Sequence, residues 1–185
     1  MAERICPWWL GYLLASPVRR LMQDPAVILG PYIKTGMTVL DVGSAMGFFS
    51  IPMARLVGED GRVICVDVQE RMLASLARRA VKAGVRDRLE LRRASSDSLG
   101  IGDLAGTVQF ALTFAVVHEV PDPRKLFSEI HASLASGARL LVSEPSGHVS
   151  PGAFEVTIAT AQAAGFRVEE SPSISRSYSR LLARG

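Results

Sequence analysis

The sequence predicts a doubly wound α/β fold in which helices cover both faces of a mostly parallel sheet. Short, continuous apolar runs alternate along the chain with segments of helical periodicity. Such continuous runs are typical of strands that are buried on both faces in parallel sheets. The last two predicted strands are joined by a short loop containing serine and proline, so we expect an antiparallel pair at that edge.

The first predicted strand leads into a turn of small residues. An apolar run interrupted by Asp41 ends at Val42, and Gly43-Ser-Ala-Met-Gly47 follows. Pro52 is tolerated only in a first helical turn, which predicts a helix beginning near Phe48. A strand, a small-residue turn and a helix N-terminus together bring backbone N–H groups close to a ligand. An ordinary strand-to-helix connection is the alternative, although it needs only one glycine.

The other elements follow from the same two patterns. Apolar or alternating runs predict strands at residues 62–66, 89–92, 108–114, 139–143, 166–171 and 177–183. Helical spacing predicts helices at residues 70–83 and 154–164, with Gly84 and Gly165 behind them. A further helix is predicted to begin at Asp122-Pro123 and to be ended by Gly137.

Composition and charge narrow the classes of function. The chain of 185 residues is 48% hydrophobic and 21% charged, as in an ordinary globular protein. Its net charge of +3 is small and its arginines are scattered, so we expect no nucleic-acid partner. Residues 1–35 are predicted to form an N-terminal helical cap and residues 36–185 a single globular unit, present as a monomer or homodimer.

The N-terminal residues and the cysteines bear on the compartment. Cys6 and Cys65 are too few for a disulfide framework, and Cys65 lies in an apolar run, as a buried hydrophobe would. No apolar stretch approaches the roughly 20 residues that span a bilayer. The apolar stretch at Trp8-Trp9 does not fit a signal peptide, because Glu3 precedes it and Arg19-Arg20 follow it. We therefore expect a cytoplasmic protein with at most peripheral membrane contact.

Several polar or small residues follow the predicted strands, where ligands bind in doubly wound sheets. The candidates are Asp41, the turn at 43–47, Asp67, and residues 95–97, 114–118 and 144–148. Asp67 ends the second strand about 20 residues after the turn, where a carboxylate can accept both hydroxyls of a ribose. Capping of the next helix is the alternative role for Asp67. The pattern predicts a nucleoside ligand.

Four motifs, in order, resemble those of class I S-adenosylmethionine-dependent methyltransferases. Val-Leu-Asp-Val-Gly-Ser-Ala-Met-Gly at residues 39–47 is similar to the first motif, and Val-Ile-Cys-Val-Asp at 63–67 to the second strand with its ribose-binding acid. Residues 110–122 resemble the fourth-strand motif of the ubiquinone/menaquinone-biosynthesis (UbiE-like) and arsenite-methyltransferase-like branch, and residues 136–145 the segment leading into the fifth strand. The likeness covers residues from about 36 to 185.

This resemblance implies a three-layer, Rossmann-like sheet of seven strands in the order 3-2-1-4-5-7-6, with S-adenosylmethionine as cofactor and S-adenosylhomocysteine as product. It places Asp41, Gly43 and Gly47 at the methionine end, Asp67 at the ribose, Ser96 or Asp97 at the adenine and Phe114 beside the sulfonium. The complete set of implied cofactor-binding residues is Asp41, Gly43, Ser44, Ala45, Gly47, Phe48, Asp67, Val68, Ser96, Asp97 and Phe114. No metal ligand is expected.

The sequence departs from the family pattern at several points. Ala45 stands where the family has its middle glycine, and a β-carbon there adds strain if φ is positive. The adenine-contacting Asp of the family usually stands where Ser95 or Ser96 is found, one or two residues before Asp97. The Asn/Asp-Pro-Pro-aromatic signature of amino-group methylation is missing after the fourth strand. Two cysteines are also fewer than an arsenite methyltransferase is expected to use.

Methyl transfer from a sulfonium mainly requires alignment of the acceptor and exclusion of water. A hydroxyl, thiol or acidic carbon acceptor also benefits from a base, for which His118, Glu119 and His148 are the candidates. The structural alternatives are a satisfied histidine, an acid at a helix start and an exposed loop residue, respectively. Glu144, before Pro145, is expected to be structural.

We therefore expect transfer of a methyl group from S-adenosylmethionine to an acceptor that is small, since no separate substrate domain is predicted. Trp8, Trp9 and Tyr12 permit an apolar acceptor or loose membrane contact. One rival is a non-catalytic binding protein with a methyltransferase fold, for which Ala45 is the argument. The other is a nicotinamide-dependent oxidoreductase, which needs a longer glycine spacing and more chain for its substrate.

Overall fold

The computed structural model describes residues 23–95 and 97–185. The predictions for Cys6, Trp8, Trp9, Tyr12 and Ser96 lie outside the described residues. The described part contains five α-helices and seven strands, which alternate along the chain except that β4 follows β3 and β7 follows β6 without an α-helix between them. The helices are α1 (Pro25–Leu29), α2 (Ser50–Leu56), α3 (Glu70–Lys82), α4 (Pro123–Ser133) and α5 (Pro151–Ala163). The strands are β1 (Thr38–Val42), β2 (Arg62–Asp67), β3 (Leu89–Arg93), β4 (Val108–Phe114), β5 (Leu134–Pro145), β6 (Phe166–Glu170) and β7 (Ser177–Arg184).

The strands form one sheet in the order β3-β2-β1-β4-β5-β7-β6, which confirms the predicted fold class and strand order. The pairs β1–β2, β2–β3 and β4–β5 are parallel. β7 is antiparallel to both of its neighbours, β5 and β6, so the predicted antiparallel pair lies at the C-terminal side of the sheet. None of the helices in residues 23–95 and 97–185 is long and apolar enough to cross a membrane.

The chain divides into two compact units, Met1–Ala94 and Ser95–Gly185. In the first, the interior of β2 is fully apolar, and Cys65 is a buried hydrophobe, as predicted. In the second, Phe110, Phe127 and Phe154 are among the largest fully buried side chains. The expected boundary between residues 35 and 36 stays a prediction.

Helix α2 begins later than the sequence predicts. It starts at Ser50, because the turn after β1 extends through Phe49. Pro52 remains within the first helical turn, where its missing N–H leaves no helical hydrogen bond unmade.

The prediction that Gly137 ends a helix is wrong. Helix α4 ends at Ser133, and the backbone is already extended at Leu134, where β5 begins. Gly137 lies inside β5 with φ +71°, at an irregularity in which two residues of β4 are matched by five residues of β5. Glycine tolerates this φ at little cost, so it serves a bulge rather than a helix end.

Candidate active site

The turn that follows β1 is tied to the end of β2 by its backbone. The N–H groups of Gly43 and Ser44 both donate to the carbonyl oxygen of Val66, at 2.9 and 3.0 Å. Positive φ values recur at every second residue: +75° at Gly43, +46° at Ala45 and +83° at Gly47. The φ of Ala45 is therefore positive, and its β-carbon adds the backbone strain that the sequence analysis expects in that case. The turn exposes little side chain between its backbone and a ligand.

Asp67 contacts this turn directly. Its Oδ2 accepts the N–H of Ala45 at 2.9 Å, and its Oδ1 accepts the N–H of Gln69 at 2.8 Å. The second bond is made to the residue that precedes helix α3, and the helix itself has no side-chain cap, so Asp67 does not cap it. Burial raises the pKa of the Asp67 carboxyl, against the lowering effect of these two hydrogen bonds. Two carboxylate oxygens offer about four acceptor positions, so both bonds leave capacity for a ligand's hydroxyls.

The carboxyl of Asp41 is buried and bonded to a neighbouring helix. Its Oδ2 accepts the hydroxyl of Ser50 at 2.5 Å. Burial, and to a smaller extent the charge of Asp67, raise the pKa of Asp41 to about 7. This hydrogen bond fastens β1 to the first turn of α2, and nothing in the sequence pattern signals Ser50 as a partner.

The remaining candidates in the first unit differ in exposure. The hydroxyl of Ser44 is buried and has no hydrogen-bond partner among the described residues. Phe48 is buried and packs edge-to-face on Phe49, with ring centroids 5.1 Å apart. Val68 is 42% exposed. Val68 thus presents an apolar surface, whereas the hydroxyl of Ser44 is a buried polar group without a described partner.

Replacing Gly47 by Ala is expected to destabilise the protein by about 1–3 kcal/mol. A β-carbon at this position would lie 2.2 Å from Cδ1 of Leu76, and the φ of +83° is unfavourable for alanine. Thermal unfolding measures the effect. Gly84→Ala is the matched control, since its φ is +67° and no atom lies within 4 Å of its added β-carbon. Equal losses in the two variants would show that backbone strain alone, without the Leu76 contact, accounts for the cost.

In the second unit, a short 3₁₀ turn (Val117–Glu119) places His118 against Glu144. Nδ1 of His118 is in hydrogen-bond contact with Oε2 of Glu144. Glu144 is fully buried and lies at the end of β5. The other carboxylate oxygen, Oε1, accepts the N–H groups of Val116 and Val117 at 3.2 and 2.8 Å. The hydrogen bond to Glu144 raises the pKa of His118.

The other two candidate bases lie beside His118. Oε1 of Glu119 is 3.9 Å from Nε2 of His118, which is too long for a hydrogen bond. The ring of His148 stands edge-on to that of His118, with centroids 6.2 Å apart. The structure therefore brings Glu119 and His148 beside His118, and His118 contacts the buried carboxylate of Glu144. The sequence predicts the first three but only a structural role for Glu144.

The adenine and sulfonium candidates show fewer specific contacts. Asp97 is exposed, and its Oδ1 accepts the hydroxyl of Ser95 at 2.8 Å. This hydrogen bond and the charge of Lys125 lower the pKa of Asp97. Phe114 is 8% exposed at the end of β4.

Comparison with known proteins identifies the family. A family model described as "Methyltransferase domain" matches residues 33–176, well over half of the chain. The chain belongs to this methyltransferase family. With the relatives below, the match shows a class I S-adenosylmethionine-dependent methyltransferase and favours it over the nicotinamide-dependent alternative.

Individual relatives agree with this assignment. The ubiquinone/menaquinone biosynthesis C-methyltransferase UbiE of Brucella anthropi is 29% identical over 71% of this chain and 50% of its own length. The arsenite methyltransferase of Halobacterium salinarum is 33% identical over 59% of this chain and 27% of its own length. This methyltransferase thus spans half or less of these curated relatives. A crystal structure of an S-adenosylmethionine-dependent methyltransferase from Aquifex aeolicus superposes with a TM-score of 0.85 and 26% identity, covering 97% of this chain and 98% of that one.

The residues at the turn fit S-adenosylmethionine, the cofactor of this family. The turn after β1 lacks large side chains at four of its five positions, Gly43, Ser44, Ala45 and Gly47, so little side-chain volume separates its backbone from a ligand. The buried hydroxyl of Ser44 is unpartnered among the described residues, and the Asp67 carboxylate retains acceptor capacity. When bound, the cofactor supplies a methyl group already activated on a sulfonium.

Proposed function

We propose that this methyltransferase moves a methyl group from S-adenosylmethionine to a small acceptor, with Asp67 as the principal residue for cofactor affinity. The observation that carries the assignment is the 2.9 Å hydrogen bond from the N–H of Ala45 to the Asp67 carboxylate. It holds an acid of β2 against the small-residue turn of β1. A ribose next to that turn would find in Asp67 an acceptor for its hydroxyls.

The other cofactor residues follow from their positions. Asp41 is proposed for the methionine end, where its hydrogen bond to Ser50 joins β1 to the start of α2 on either side of the turn. Gly43, Ser44, Ala45 and Gly47 belong to the turn, in which Gly43 and Ala45 are partly exposed and Ser44 and Gly47 are buried. Phe48 and Val68 flank the turn and the end of β2, and Asp97, Ser96 and Phe114 are proposed for the adenine and the sulfonium.

Replacing Asp67 by Ala is expected to weaken S-adenosylmethionine binding about 10- to 100-fold, since hydrogen bonds to a charged group contribute about 1.5–3 kcal/mol. Calorimetric titration with S-adenosylmethionine and S-adenosylhomocysteine measures this loss. Asp60→Ala, which removes an exposed acid from the same unit, is the control and should bind as the wild type does. Unchanged affinity in Asp67→Ala would restrict Asp67 to its structural hydrogen bonds with the N–H groups of Ala45 and Gln69.

The chemistry of the second unit favours an acceptor that reacts with the help of a base. His118, Glu119 and His148 lie together, and we propose His118 as the catalytic base with the other two beside it. The names of the relatives refer to C-methylation in ubiquinone/menaquinone biosynthesis and to arsenite. An apolar acceptor remains the proposal that Trp8, Trp9 and Tyr12 suggest. We further propose that the protein is cytoplasmic, with at most peripheral membrane contact. It acts as a monomer or homodimer and does not bind nucleic acid.

A further inference from the structure

We propose that Glu144 is a positioning residue that makes Nε2 of His118 a proton acceptor, and that the methyl acceptor therefore loses a proton from oxygen or carbon during transfer. The inference rests on the proposed function and deepens it by naming the class of acceptor.

The hydrogen bonds around Glu144 fix both of its oxygens. Oε1 accepts the N–H groups of Val116 and Val117, and Oε2 meets Nδ1 of His118. Glu144 is fully buried, so its carboxylate has no water shell and depends on these donors. The carboxylate cannot turn away from His118 without leaving two backbone N–H groups unpaired.

This arrangement selects one form of the imidazole ring. A carboxylate accepts hydrogen bonds, so the proton of neutral His118 resides on Nδ1. The lone pair is then on Nε2, which is 3.9 Å from the Glu119 carboxylate and makes no hydrogen bond to it. A buried carboxylate on one side of a histidine leaves the opposite nitrogen as its basic atom.

The charges that face His118 stabilise the ring after it has taken a proton. Glu144 on β5 and Glu119 on the 3₁₀ turn are both acids, and both raise the pKa of His118, with Glu144 the larger cause. The ring of His148, after β5, faces His118 at 6.2 Å. With these two acids beside it, the ring of His118 is stabilised in its protonated form.

The reaction balances as follows for an acceptor with an O–H or acidic C–H bond. That bond breaks, its proton passes to Nε2 of His118, and its electron pair forms the new bond to the methyl carbon. The methyl–sulfur bond breaks with its electron pair remaining on sulfur. His118 later returns the proton to water. An acceptor such as arsenite attacks through the lone pair on arsenic, so no bond to hydrogen breaks at its attacking atom, and transfer to it does not need His118.

Glu144→Gln separates positioning from folding. The amide oxygen of Gln can still accept the N–H groups of Val116 and Val117, which directs its NH₂ group toward His118. An amide NH₂ donates, so Nδ1 must become the acceptor and the proton moves to Nε2. The substitution therefore preserves the shape of the turn and removes the lone pair from the reactive nitrogen. Glu155→Gln is the matched control, because Glu155 is a largely exposed acid on α5 that pairs with Arg180.

The first readout is independent of turnover. Nitrogen-15 chemical shifts of the full-length protein report the ring form and pKa of each of its 3 histidines. We expect His118 of the wild type and of Glu155→Gln to carry its proton on Nδ1 and to titrate above the ordinary pKa. In Glu144→Gln the proton should be on Nε2, and the pKa should fall. An Nδ1 proton in Glu144→Gln would overturn the proposal.

The second readout is methyl transfer to catechol and naphthohydroquinone, with arsenite as the acceptor whose attacking atom carries no proton. We expect turnover of an acceptor with an O–H or acidic C–H bond at its attacking atom, a rate that rises with pH through the pKa of His118, and a loss in kcat of about 100-fold in Glu144→Gln. Calorimetric binding of S-adenosylmethionine should be unchanged in this variant. Turnover of arsenite alone, or equal kcat values in wild type and Glu144→Gln, would overturn the inference while leaving the cofactor assignment intact. Loss of cofactor affinity in Asp67→Ala tests that assignment separately.

Discussion

Replacing His118 by Asn is expected to lower kcat about 100- to 1000-fold with an acceptor that must lose a proton, in the range of general-base contributions. The side-chain amide of Asn can place a donor where Nδ1 of His118 stands, so Glu144 keeps a hydrogen bond in its buried position. The variant has no counterpart of Nε2 and therefore no base. The measurement is single-turnover methyl transfer at saturating S-adenosylmethionine, followed across pH.

The rate of methyl transfer should depend on pH in a direction set by the protonation of His118. His118 has a raised pKa, so it is protonated and inactive as a base up to a higher pH than an ordinary histidine. The wild-type rate should rise with pH as the ring loses its proton, and the rate of His118→Asn should lack that rise. His131→Asn, on α4, is the control for histidine removal and should keep the wild-type pH profile. A wild-type pH profile in His118→Asn would assign the base to another residue.

Replacing Asp41 by Asn is expected to stabilise the folded protein at neutral and higher pH by up to about 4 kcal/mol. The folded pKa of Asp41 is about 7, against an ordinary value of 3.8. Between these values the folded state retains a proton that the unfolded chain has released. The favourable contribution of Asp41 is therefore complete below pH 4 and is lost as pH rises through 7, where a buried carboxyl must ionise. Asn keeps an oxygen for the hydroxyl of Ser50 and never ionises.

Thermal unfolding between pH 4 and 8 measures this difference. We expect Asp41→Asn and wild type to unfold at similar temperatures at pH 4 and to diverge progressively toward pH 8. A gain of 1 kcal/mol corresponds to about 2–4 °C for a domain of this size. Asp60→Asn, an exposed acid of the same unit, should follow the wild type. A constant offset across the whole pH range would mean that the substitution changes packing rather than proton binding.

Elements that depend on neighbouring residues in the sequence are predicted better than features that depend on backbone conformation. The β4 strand, Val108–Phe114, is found at its predicted bounds, because a buried strand has a distinct apolar composition. The predicted end of α4 is wrong, because Gly137 adopts its positive φ within a strand and not at the end of a helix, where glycine is also common. Ala45 stands between these cases: its substitution for glycine is visible in the sequence, but its φ of +46° is not.

The sequence by itself determined the fold class, the strand order implied by family resemblance and the family. These depend on periodicity and on short motifs, in which all the information lies within a few neighbouring residues. Only the tertiary structure showed that Asp41 bonds to Ser50, that Asp67 bonds to Ala45, and that Glu144 contacts His118 across 26 residues of sequence. Such contacts depend on the register of neighbouring strands and on the direction of each side chain. A buried carboxyl also requires a hydrogen-bond donor. The fold decides which residue provides that donor, and sequence spacing does not show which one it is.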